Sequence, residues 1–129
     1  GSEYAGAFSS NEMNGYGVLE WVDGRRYEGD WKEGKMHGQG RFLWPDGRKY
    51  FGEYINNLKH GQGVFEWPDK KTYTGPFVNN KMHGEGMLST PNGKALKGTW
   101  ANGQLVEWKK RESVVEEKEK DNLENKNLE

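Results

Sequence analysis

"YEGDWKEGKMHGQG", residues 27–40, carries a strand, a turn and the start of a second strand. In its first part Tyr27, Gly29 and Trp31 alternate with Glu28, Asp30 and Lys32. Extended backbone sends alternate side chains to opposite faces, so one side carries rings and the other charges. In the continuation, "GQGRFLW" at 38–44, alternation puts Gly38, Gly40, Phe42 and Trp44 on one face, with Leu43 breaking the polar side. Gly34 stands between the two segments, where a tight turn requires φ > 0. The stretch therefore predicts a β-hairpin with one aromatic face.

The same pattern recurs along the chain. Tyr4, Tyr27, Tyr50 and Tyr73 are 23 residues apart, and Leu96 takes the next such place. Counting from each, the third position is Gly6, Gly29, Gly52, Gly75 or Gly98. The fifth is aromatic: Phe8, Trp31, Tyr54, Phe77 or Trp100. The eighth is Asn or Gly throughout, and the twelfth and fourteenth are Gly in the first four copies. "PDG" (45–47), "PDK" (68–70) and "PNG" (91–93) end the second strand and turn the chain into the next copy. A lone hairpin is marginal in water, whereas stacked hairpins pair edge to edge and extend one sheet. The expected architecture is all-β, a single-layer, elongated, twisted antiparallel sheet of stacked hairpins. A glycine on the ring face gives a neighbouring ring room to lie over the backbone.

Composition limits the alternatives. Hydrophobic residues are 32% of the 129, yet 13% are aromatic and there are 19 glycines, which is not the profile of a disordered chain. The net charge of −1 provides no general attraction for nucleic acid. Without cysteine there is neither a disulfide framework nor a thiolate zinc site. No apolar run approaches the ~18 residues of a membrane span. Gly1-Ser2 reads as an expression remnant, so a longer parent protein is expected. The absence of cysteine fits an intracellular, cytoplasmic setting, which is the one expected.

The register Tyr-x-Gly-x-Trp-x-x-Gly-x-x-His-Gly-x-Gly at 27–40 resembles the MORN repeat (membrane occupation and recognition nexus), and the likeness covers residues 4–105. The resemblance implies a non-enzymatic binding or scaffolding module with no cofactor, at the cytoskeleton, a cilium or the membrane periphery, and leaves the partner open. Asn14 stands where the other copies have His, Lys70 replaces a turn glycine, and Thr90 replaces the tryptophan seen at 21, 44 and 67. Val106-Glu107-Trp108-Lys109 departs from His-Gly-x-Gly, which marks the last unit as a half-repeat cap.

His37, His60 and His83 occupy one position in successive copies, about 10 Å apart along the sheet. That is too far for shared metal or triad chemistry, so they are expected to hold the loop beside the first glycine. Gly38 and Gly40, Gly61 and Gly63, and Gly84 and Gly86 are read as architecture: no third glycine, no Gly-Lys-Ser/Thr and no following helix makes a phosphate loop. Trp31, Phe42, Trp44, Tyr54, Phe65, Trp67 and Phe77 are the candidate partner-binding residues, forming a groove for a helix or an extended peptide of another protein. The alternative is attachment to anionic phospholipid through Arg25, Arg48, Lys71 and Lys94, a ladder partly neutralised by Asp23, Asp46 and Asp69. Open sheet ends also suit a homodimer. The array is expected over 4–108. Residues 109–129 form a charged tail in which Ser113-Val114-Val115-Glu116 reads as a capping box opening a short helix.

Overall fold

The computed structural model describes residues 1–108; the tail over 109–129, with its expected helix, lies outside them. The strands are β1 (Glu3–Ser9), β2 (Glu12–Glu20), β3 (Arg26–Lys32), β4 (Lys35–Leu43), β5 (Lys49–Ile55), β6 (Leu58–Glu66), β7 (Thr72–Val78), β8 (Lys81–Met82), β9 (Gly84–Ser89), β10 (Ala95–Ala101) and β11 (Gln104–Trp108). They build one open antiparallel sheet in sequence order, with β8 and β9 both pairing β7. The fold is the stacked-hairpin sheet that the 23-residue period demands.

Two turn types alternate. Within a repeat, β3 and β4 are joined by Glu33 and Gly34 alone, at φ 50° and 80°. Two successive left-handed residues give the turn whose twist matches that of paired strands. Asn56-Asn57 and Asn79-Asn80 repeat it (φ 47° and 72°; 47° and 76°). Between repeats, the Gly24 amide donates to the Trp21 carbonyl at 2.9 Å, and Gly24 is left-handed at φ 98°. Lys70, at φ 79°, holds the corresponding place without being glycine.

The register brings a glycine to one row on each of seven neighbouring strands: Gly6, Gly17, Gly29, Gly40, Gly52, Gly63 and Gly75 are successive partners. Over this row lie the tyrosines. A Cβ built on Gly63 would sit 2.5 Å from Tyr50 Cε1, and Cβ atoms on Gly40 and Gly86 would likewise strike Tyr27 and Tyr73. Each phenol donates to the carbonyl three residues on: Tyr27 to Asp30 at 2.8 Å, Tyr50 to Glu53 and Tyr73 to Pro76 at 2.9 Å.

The first glycine of each Gly-x-Gly does something else, which corrects the simple alternation. Gly29 pairs Gly40 and Trp31 pairs Met36, so two residues of β3 span four of β4. The extra residues form a β-bulge, with Gly38 left-handed at φ 89°. A Cβ on Gly38 would meet Asp30 Oδ2, on the charged face, at 2.8 Å rather than a ring. The Asp30 carboxylate accepts from the Gln39 amide at 3.1 Å and braces the bulge.

The histidines also reach further than expected. Nδ1 of His37, His60 and His83 accepts from the turn amides of Asn56, Asn79 and Asn102 in the following repeat, at 3.4–3.5 Å. Asn14 substitutes in kind: its Oδ1 accepts from the Glu33 amide at 3.4 Å. Beside these long bonds, Asn57 and Asn80 donate to the Met36 and Lys59 carbonyls and accept from the amides of the same two residues, all at 2.9 Å. The other two junctions keep the backbone bond, from the Gly34 and Gly103 amides to the Met13 and Met82 carbonyls at 2.9 Å, and lack only the side-chain acceptor that asparagine adds.

Candidate partner-binding face

The ring face is built as two files. The first is Tyr4–Trp31, Tyr27–Tyr54, Tyr50–Phe77 and Tyr73–Trp100, edge-to-face across the repeat junctions with centroids 4.9–5.7 Å apart. Edge-to-face packing matches the ring quadrupoles and locks each repeat to the next. The second is Trp21–Phe42–Trp44–Phe65–Trp67, with neighbouring centroids 4.4–5.7 Å apart.

Burial sorts the candidate residues. Trp31, Phe42, Tyr54 and Phe77 are 3–6% exposed and form the core with Tyr27, Tyr50, Tyr73 and Trp100. With no second layer, the rings cover one another, so these four of the expected partner-binding residues serve the packing and present little surface to a partner. Trp44, Phe65 and Trp67 remain half-buried, and Trp21 joins them at the same repeat position. The accessible part of the face is therefore the second file apart from Phe42. Burial pushes the phenols of Tyr27, Tyr50 and Tyr54 above their ordinary value, and that of Tyr73 up to about 12.

The basic ladder is tied down on its own turns. Arg25 Nε lies 2.9 Å from Asp23, Arg48 Nε 2.8 Å from Asp46, and Lys71 Nζ 3.7 Å from Asp69. The same aspartates accept the backbone amides of Arg25, Arg48 and Lys71 at 3.0–3.1 Å. These backbone bonds, more than the guanidinium contacts, hold the carboxyls of Asp23 and Asp46 below their ordinary value. Arg25 and Arg48 also lie over the rings of Trp21 and Trp44, at 4.8 and 5.0 Å from their centroids. Lys94 is exposed on the fourth turn.

Sequence reading passed over two further features. Lys59 lies on the ring face, its Nζ 5.4 Å from the Trp44 centroid, 5.5 Å from Tyr50 and 5.9 Å from Phe65. On the opposite face the glycine row floors two shallow troughs of about 340 and 380 Å³, the first flanked by Tyr16, Arg41 and Phe51.

Edge-paired hairpins with a ring-lined surface define a repeat-built binding module. A family model of the MORN repeat matches residues 4–25, 27–47, 50–72 and 73–95, and the chain belongs to the MORN-repeat family. Modules of this family generally bind proteins or membranes and are not an enzyme family. The β10–β11 hairpin continues the stack beyond the matched segments. No curated protein matches the chain.

Proposed function

We propose that this protein is a non-enzymatic scaffold that holds a helical or extended segment of a partner protein along the tryptophan file. The half-burial of Trp21, Trp44 and Trp67 carries the reading. Large rings fixed by packing but uncovered on one side are the anchors that protein interfaces favour. The pairing of Arg25, Arg48 and Lys71 with aspartates supports protein over lipid, because those charges are already matched.

Capture from cells with the wild-type chain and with Trp44→Ala and Trp67→Ala variants tests this, with melting curves run on each. A partner retained by wild type at high salt and lost by both folded variants is expected. Flotation with phosphatidylserine vesicles, abolished by reversing Arg25, Arg48 and Lys94 while Trp44→Ala has no effect, would assign the chain to membranes instead.

A further inference from the structure

The tenth position of the repeat is Met13, Met36, Lys59 and Met82 in turn. The three methionines pack against the core. At Lys59 an ammonium takes that apolar place, facing three rings. Among the described residues its Nζ makes no hydrogen bond or ion pair. The charge that acts on it electrostatically is another cation, Arg48, whose guanidinium already bonds Asp46 through Nε. Burial, and secondarily Arg48, push the Lys59 ammonium below its ordinary value. Ring faces offset part of the desolvation of a cation but do not neutralise it. The backbone at this point is fixed on both sides: the Lys59 amide donates to Asn80 Oδ1 and its carbonyl accepts from the Asn80 amide, each at 2.9 Å.

We propose that Lys59 is an anion-recognition point in the middle of the ring face, and that the partner segment sets an Asp or Glu carboxylate on it. The inference rests on the ring face being the binding surface. A single unmatched cation among rings fits one carboxylate flanked by apolar side chains. A phosphate group calls for more donors than the one ammonium that faces the rings offers, and the Arg48 guanidinium beside it is turned to Asp46 through Nε and laid over Trp44. Methionine at this place packs well in three repeats, so the lysine costs stability that the partner's carboxylate returns on binding.

The test titrates the 129-residue chain with acetyl-Leu-Glu-Phe-Glu-Leu amide and with its glutamine twin, following the Lys59 side-chain resonances and the dissociation constants. The glutamate peptide is expected to bind at least tenfold tighter. Lys59→Met abolishes the difference and raises the melting temperature, while Lys59→Arg keeps the preference. Equal binding of the two peptides, a preference that survives Lys59→Met, or no binding of the glutamate peptide at millimolar concentration overturns the proposal. Equal binding that Trp44→Ala still weakens removes the anion site and leaves the ring face standing. Glutamate-peptide binding indifferent to both Lys59→Met and Trp44→Ala removes both. Loss of phosphatidylserine vesicle binding in Lys59→Met, with peptides ignored, assigns the cation to lipid.

Discussion

Gly63→Ala adds one methyl group beneath Tyr50. The new Cβ would lie 2.5 Å from Tyr50 Cε1 and Oη and 2.7 Å from Cζ. Carbon atoms rest at about 3.5–4.0 Å, so the ring must retreat by about 1 Å. Tyr50 has nowhere to go: it is fully buried, its hydroxyl bonds the Glu53 carbonyl at 2.9 Å, and its ring meets Tyr54 and Phe77 at 5.3 and 5.2 Å. Retreat breaks the hydroxyl bond, at about 1 kcal/mol, and strains two edge-to-face pairs worth about 0.5–1.5 kcal/mol each. The sum is about 3 kcal/mol for the smallest side chain the site can receive. A domain of this size should then melt roughly 12–24 °C lower. Urea and thermal unfolding followed by tryptophan fluorescence give the number. A double-mutant cycle assigns it: in a Tyr50→Leu background, Gly63→Ala should cost less than about 1 kcal/mol. A single-variant loss below about 1 kcal/mol, or the same loss without the Tyr50 ring, refutes the ring-over-glycine packing.

His60→Ala should cost about 0.5–1 kcal/mol by urea denaturation, since its bond to the Asn79 amide is long, whereas His60→Asn should restore most of the loss as Asn14 does in the first repeat. Lys70→Gly should stabilise by about 1 kcal/mol, because an L side chain at φ 79° pays for a left-handed backbone that glycine adopts freely; an unchanged melting curve would contradict this. Stability should fall in alkali. The buried tyrosines have folded values above the ordinary 10, as with Tyr73 at about 12, so the folded state retains protons that the unfolded chain releases. Their contribution is intact below pH ~10 and declines as pH rises toward the folded values, so phenolate absorbance of these rings should appear together with unfolding.

The 23-residue spacing of Tyr4, Tyr27, Tyr50 and Tyr73 made the architecture legible, because hairpin period and stacking direction follow from repetition alone. The site was less so. Alternation placed Gly38 beside Gly40, but strict alternation assumes an unbroken ladder, and the bulge opposite Asp30 adds residues that carry no sequence mark other than the glycine. The reach of His37 to Asn56 crosses a repeat boundary, which no single copy displays. Trp31 and Trp44 look alike in sequence; their different burial comes from the neighbouring repeat's tyrosine, which covers one and leaves the other half open. Lys59 was visible as the odd residue among Met13, Met36 and Met82, yet its meaning needed the rings around it.

The junction bonds at the turn edge have a genetic consequence. Asn57 meets Met36 through the same backbone pairings by which Asn80 meets Lys59, so each unit presents to its successor the surface it accepts from its predecessor. An in-frame duplication or loss of one 23-codon block would therefore close without a new seam. Such events would change the length of the tryptophan file by about 10 Å at a time, making reach along a partner a trait that lengthens by copying rather than by redesign.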